Sequence, residues 1–344
     1  MKYAQLAQKY RLDGRYHLAL SSAKMSTTVF GRIEECRALA WLAQYEQAQN
    51  RLNGLTRPNG PVRIDYDHAV IICAINLGYW ARCRQLIPAL EASLEDNNQL
   101  GIQIRLHQLL ALLCSVIDDN GRGLPHAELA LDLAESLGDV RLICDSLFGH
   151  ADVLHRAQRY AEAAAVWSRC IDQQNTILRS DHPELALSLD GFALSLRQLN
   201  QPNAAIPLHL KAQTIYHAEL PHFHPALGAS YHGLSQALLR CGQVHQAVRH
   251  MRLALQCAEH NLPADHPDIA ITAFELGRAE LSIGLKDSGF KRMQSAHQTG
   301  AAILGAEHPM VKRMNEWLSQ ISGASVEASS LESDSTNTDS SSET

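Results

Sequence analysis

One dipeptide in register restricts this chain more than any other feature. His-Pro occurs at His182-Pro183, His224-Pro225, His266-Pro267 and His308-Pro309, 42 residues apart each time. A fixed period changes the meaning of every other pattern, because a repeated unit stacks on its own copies instead of closing one central core. Each His-Pro opens an apolar-periodic stretch. Proline at the first helical position forfeits nothing, since that N–H has no partner within the helix and the fixed φ already suits it. With 46% hydrophobic but only 6% aromatic residues, the composition also leans to helix.

Within each unit small residues recur at fixed offsets: Ala193, Ala205 and Ala212; Ser235, Ala247 and Ala254; Gly277, Gly289 and Ala296. One period upstream the same offsets give Ala151, Ala163 and Cys170. The first residue falls midway along one helix, and the other two lie two turns apart on the next, so small side chains let an antiparallel pair approach closely. Between the helices, Gln158, Asn200, Gly242 and Gly284 hold the position where a helix ends in the left-handed region. The unit is a helix–turn–helix hairpin.

This constellation resembles the tetratricopeptide repeat (TPR), and the 42-residue spacing with Asp181-His182-Pro183 and Asp265-His266-Pro267 resembles the kinesin light chain type. The resemblance covers residues 140–307, with a further His-Pro helix at 308–321 as a cap. Upstream, Ser115, Ala127 and Ala134 match the same offsets, and Ala127–Asp139 looks like the arrays of bacterial regulators. Ala7, Gly14, Tyr16 and Ala19 suggest a first hairpin, Tyr45 and Ala48 a second, and Gly78, Trp80 and Cys83 a third. The resemblance implies an all-α, right-handed superhelical solenoid of seven to eight hairpins, with the first helix of each lining the concave side. The expected organisation is irregular hairpins over 1–97, a regular array with its capping helix over 98–321, and a disordered Ser/Thr/acidic tail over 322–344.

The formal charge is −6, and five acids in the last 23 residues account for most of it. The nearly neutral remainder has no basic excess to drive nucleic-acid or anionic-membrane binding. The N-terminus lacks an apolar signal core and no run approaches a membrane span, so a cytoplasmic protein is expected. Eight cysteines without a C-x-x-C pair suit reduced, core-filling thiols.

No nucleophile elbow, zinc-helix motif, phosphate loop or dinucleotide fingerprint occurs. His217, Glu219, His222 and His224 are close in sequence, but Pro221 and Pro225 interrupt them, so neither metal nor cofactor is expected. TPR arrays serve mainly as binding scaffolds, and the resemblance implies a non-enzymatic adaptor that takes a peptide or helix of a partner protein in its concave groove. The partner-binding candidates are the exposed first-helix positions Arg156, Asp190, Arg197, Gln198, His232, Gln236, Arg240, Glu275 and Arg278. Arginine in each unit suits carboxylates and peptide carbonyls, although pairing with Asp152, Asp190 or Glu275 explains it equally well. The asparagine pair that helps hold cargo in kinesin light chains is replaced by Phe148-Gly149, Asp190-Gly191, His232-Gly233 and Phe274-Glu275. Glycine in mid-helix at three of these costs roughly 1 kcal/mol each against alanine, for which tight packing or close approach of a ligand are the two explanations. The alternative function is a regulatory sensor whose array binds a small peptide or metabolite and signals through another protein. Oligomeric state leaves no trace in the sequence.

Overall fold

The computed structural model describes residues 1–321, which are helical apart from their turns and connecting segments. Gly14, Ala43, Gly78, Asp118, Gln158, Asn200, Gly242 and Gly284, with φ between +59° and +86°, each occupy the short turn between the two helices of one hairpin, whereas Gly60, Gly138 and Gly305, also at positive φ, lie in the connections that follow a hairpin. In chain order the pairs are α1 (Lys2–Leu12) and α2 (Tyr16–Lys24), α3 (Val29–Trp41) and α4 (Tyr45–Asn53), α5 (Val62–Asn76) and α6 (Trp80–Glu95), and α7 (Leu100–Val116) and α8 (Asn120–Leu137). There follow α9 (Val140–Arg156) and α10 (Tyr160–Ile177), α11 (Pro183–Gln198) and α12 (Pro202–Glu219), α13 (Pro225–Arg240) and α14 (Val244–Asn261), and α15 (Pro267–Ser282) and α16 (Lys286–Leu304). A last helix, α17 (309–321), begins at Pro309, as the fourth His-Pro requires. The expected seven to eight hairpins are eight. The tail expected to be disordered, 322–344, lies outside the described residues.

Spacing between turn residues is 29 and 35 at first, 40 twice, and then 42 three times. That progression corrects one register. Counting seven back from Asp118 puts Ala111, not Ser115, at the small-residue position, with Gly123 and Ala130 as its mates. A Cβ on Gly123 would stand 3.3 Å from the Ala111 carbonyl oxygen, so α7 and α8 pack tightly here. Ser115, Ala127 and Ala134 lie one helical turn further along the same faces and are buried too. Four residues is nearly one turn, which is why both sets satisfy the same offsets. In the third hairpin the positions hold Ile71, Cys83 and Leu90, all buried; without small residues there, the sequence signal fades.

The His-Pro histidines are helix caps. At His182, His224, His266 and His308, Nδ1 accepts the backbone N–H two residues on, at 3.1–3.2 Å. This satisfies one of the N–H groups that the first helical turn leaves without a partner. Seven of the eight cysteines are buried free thiols, and Cys241 is half-buried. Burial pushes Cys36 and Cys170 up to about 12, which keeps them as unreactive packing groups.

The mid-helix glycines divide by cause. A Cβ on Gly191 would lie 2.5 Å from the Trp167 ring, and one on Gly233 would lie 2.6 Å from His209 Cε1, whereas Gly149 faces open space. Close packing therefore explains two of the three. Gly149→Ala is expected to stabilise by about 1 kcal/mol through helix propensity. Gly233→Ala is expected to destabilise by roughly 1–3 kcal/mol, because His209 is held in place and the contact is overpacked. Urea midpoints that move the same way for both would contradict this assignment.

The chain forms two compact units, Met1–Ala237 and Leu238 onward. In the second unit Val248, Met251, Leu255, Leu276 and Ala279 form one cluster, and Phe274, Met293, Ala296 and Met314 form another that takes in α17. Gly277 and Gly289 bring α15 and α16 together so closely that a Cβ on either would stand 2.7 Å from the other's carbonyl oxygen. The buried Glu280 carboxylate is held between Arg252 at 2.8 Å and Arg292 at 3.0 Å. Among the described residues no helix is long and apolar enough to cross a membrane.

Candidate binding face

The first helices of the hairpins share a stripe. Relative to the small residue of each hairpin, positions −6, −3, +1 and +4 follow the 3-4-3 spacing of one helical face. In α5 they begin with Asp65 and His68, in α7 with Arg105 and Gln108, in α9 with Asp145 and Phe148, and in α11 with Leu187 and Asp190. Arg37 of α3 and Arg11 of α1 fall on the same stripe at +1 and +4.

These side chains and their immediate neighbours join every consecutive pair of first helices in the first unit. Arg11 of α1 reaches Glu34 of α3 at 2.7 Å. Arg37 pairs with Glu34 at 3.3 Å and also with Asp65 of α5. Asp65 accepts a second arginine, Arg105 of α7, at 2.5 Å. Gln108 of α7 donates to Ser146 of α9 at 2.8 Å, Arg141 of α9 pairs with Glu184 of α11 at 2.7 Å, and Ser230 of α13 donates to Asp190 of α11 at 2.9 Å. Burial alone would raise the Asp65 carboxyl, but Arg37 and Arg105 hold it below the usual range. The same burial, with three arginines near it, pushes His68 down to about 3. The accessible part of the seam lies on α7 and α9, where the Arg105 side chain is 31% exposed and Asp145 40%; beside it on α9 lies the surface pair of Asp152, 30% exposed, and Arg156, 46%.

Of the nine candidates, Arg156 forms an i,i+4 pair with Asp152 at 2.9 Å, on the exposed end of the α9 stripe. Asp190, 13% exposed, turns into the packing between helices, where it accepts from His209 Nδ1 at 2.7 Å as well as from Ser230. Burial raises its carboxyl against those hydrogen bonds. Tyr216 is electrostatically coupled to this carboxylate, although its hydroxyl makes no hydrogen bond by geometry. His209, Asp190 and Ser230 are the residue types of a hydrolytic triad in the wrong order. The serine contacts the carboxylate rather than the imidazole, and His209 Nε2 points at Gly233 with no polar partner, so nothing activates the hydroxyl. Gln198 and Arg240 are exposed, while Arg197, His232, Gln236 and Glu275 are partly buried. Arg278 lies over the Trp317 ring of α17, 3.9 Å from its centroid, so the capping helix engages it.

The seam through Arg11, Glu34, Arg37, Asp65, Arg105, Arg141 and Glu184 escapes inspection of the exposed positions. The signal available for it was charge placed inside apolar helices, as in the Ile64–Ala74 stretch of α5, where two aspartates are buried among aliphatic residues.

Residues 142–218 match the family model of the tetratricopeptide repeat. A Podosopora anserina protein of kinesin light chain type with nearly identical TPR-like repeats is 21% identical, over 60% of this chain and 98% of that one, with a TM-score of 0.51. BtubC (BKLC) from P. vanneervenii is 17% identical over 68% of this chain and 94% of that one, with a TM-score of 0.55. A Rap protein solved with Competence and Sporulation Factor is 11% identical and covers more: 94% of this chain and 98% of that one, with a TM-score of 0.60. At these identities the likeness is one of fold. No curated protein matches the sequence.

Proposed function

We infer that this chain, whose residues 142–218 match the tetratricopeptide-repeat model and whose fold is similar to that of kinesin-light-chain-type repeats, is a non-enzymatic interaction scaffold that binds an extended segment of a partner protein along its first helices. The observation that carries this reading is the row of paired but partly exposed charges on α7 and α9. Arg105, Arg141 with Asp145, and Asp152 with Arg156 offer both donors and acceptors, and each is already oriented by an ion pair. A preset wall of this kind binds an extended chain with little side-chain ordering still to be done. Arginine in it suits carboxylates and backbone carbonyls of the bound segment.

The test is a charge swap, Asp152→Arg with Arg156→Asp, which keeps the ion pair and the fold but reverses the pattern shown to a partner. Affinity capture with the full chain is expected to lose partners on this swap and to keep them on the matching swap of the exposed Arg159–Glu162 pair at the start of α10. Partners kept by both would remove binding from this wall. The second reading is a small-peptide sensor. It is favoured by the likeness of nearly the whole chain to a Rap protein solved with Competence and Sporulation Factor. It predicts a change in the small-angle scattering profile when a candidate peptide is added, with no protein captured by either form.

A further inference from the structure

Hairpins 1 and 2 return to the starts of α11 and α13, some 170 and 180 residues on, through histidines that do two jobs each. His182 Nδ1 accepts the Glu184 N–H at 3.1 Å, while its Nε2 donates to the Leu12 carbonyl at 3.0 Å. His224 repeats the arrangement, accepting from Ala226 at 3.1 Å and donating to the Trp41 carbonyl at 2.9 Å. A ring with an N–H facing on one side and a carbonyl on the other is fixed as the neutral Nε2–H tautomer. Capping alone does not call for the second bond, because His266 and His308 cap their helices in the same way on more exposed sites.

Other contacts support the pair. Arg179 Nε donates to the Asp13 carbonyl at 2.9 Å. Gly14, at φ +73°, packs so closely on His182-Pro183 that a Cβ would stand 2.7 Å from Pro183 Cδ. Tyr16, 1% exposed, stacks on Trp41 with centroids 4.6 Å apart, and it is near enough to the fully buried Tyr216 to act on its ionisation. The aliphatic clusters have a different direction, running along neighbouring hairpins such as Leu39 with Val70 and Ile71 with Leu110. The return contacts are mainly hydrogen bonds to carbonyls, each worth about 0.5–1.5 kcal/mol net and readily exchanged for water.

We propose that hairpins 1 and 2 form a gate over the first-helix face, latched at His182 and His224, which opens without melting any hairpin. The proposal rests on the reading of that face as the binding surface, since the gate governs access to it. The test uses the full chain with no partner present, so that it fails or succeeds independently of the capture experiment. Asparagine can still accept the capping N–H but is too short to reach the opposing carbonyl. In His182→Asn/His224→Asn, amide exchange in Lys2–Trp41 is expected to stay within about twofold of the parent, because opening leaves the hydrogen bonds inside α1, α2 and α3 intact. Hydroxyl-radical oxidation of Tyr16 and Tyr216 is expected to rise several-fold. Exchange in α7–α10 and oxidation of Trp167, buried in hairpin 5, should stay at parent levels, which establishes that the chain is folded. Parent-like oxidation of Tyr16 and Tyr216 would overturn the latch. Faster exchange throughout would overturn it equally, by making the histidines supports of the whole unit.

Discussion

Asp65→Ala is expected to cost about 3–5 kcal/mol of stability, the range found when one partner of a buried ion pair is removed. The carboxylate serves two arginines from different hairpins, and the Arg37 side chain is only 12% exposed. Removal leaves Arg37 with Glu34 alone, at 3.3 Å, and leaves Arg105 without its acceptor across the α5–α7 junction. By contrast, Arg156→Ala breaks an exposed pair and is expected to cost about 0–1 kcal/mol. Urea unfolding of the two variants separates the seam from ordinary surface charge. A cycle combining Asp65→Ala with Arg105→Ala should show coupling above about 0.5 kcal/mol, because the residues are in contact. If Asp65→Ala costs no more than Arg156→Ala, the seam does not hold the hairpins together.

Acid is the second strong perturbation. Burial lowers His107 and His224 to about 4, and burial with neighbouring arginines lowers His68 to about 3, from an ordinary value of 6.5. In the native chain these rings stay neutral where the unfolded chain takes up protons. Their contribution is therefore complete above pH 6.5 and is lost as the pH falls toward about 4 for His107 and His224 and about 3 for His68. Each such group adds about 1.4 kcal/mol per pH unit within that window, and for His224 alone the whole shift corresponds to about 3 kcal/mol. The Asp190 carboxyl acts in the opposite sense: burial raises it, so the native chain binds that proton first and gains stability on acidification. Burial also lowers His126, His150, His155, His182 and His250, and it raises Asp145 alongside Asp190, so the depressed imidazoles outnumber the raised carboxyls and leave a net loss. The urea midpoint is expected to fall steadily from pH 7 to 4.5, with a slope shallower by about one proton in His68→Gln. A midpoint independent of pH over that range would show these rings to be solvated.

Both effects bear on function through one surface. The ion pairs that stiffen the junctions between first helices also present the charges proposed to meet a partner, and the latch histidines belong to the acid-sensitive set. Acid should therefore loosen the gate before the hairpins themselves unfold: at pH 5 oxidation of Tyr16 and Tyr216 is expected to rise while amide exchange within the hairpins stays slow.

Much of this architecture could be read from local pattern. The 42-residue His-Pro period, the small residues at fixed offsets and the left-handed turn positions each describe contacts within one hairpin or between neighbours, so their spacing survives in the chain as periodicity. Ala193, Ala205 and Ala212 needed no tertiary information, because close helix approach admits only small side chains there. Where the hairpins hold Ile71 and Leu90 the constraint relaxes, and the third hairpin shows only a faint signal. The one-turn slip between Ser115 and Ala111 has a related origin, since a helix places residues four apart on the same face and only the turn at Asp118 fixes the count.

Tertiary structure alone decided which polar residues are presented and which are enclosed. Asp190 and Arg156 read alike in sequence, yet one is locked by His209 and Ser230 and the other is exposed beside Asp152. The difference lies in what stands opposite, contributed by helices that period and spacing do not orient side chain by side chain. The bonds from His182 to Leu12 and from His224 to Trp41 are beyond any local pattern for the same reason. They depend on how far each hairpin rotates on the next, a small angle set by side-chain packing and summed over five junctions, and that sum brings the first hairpins back to the sixth and seventh.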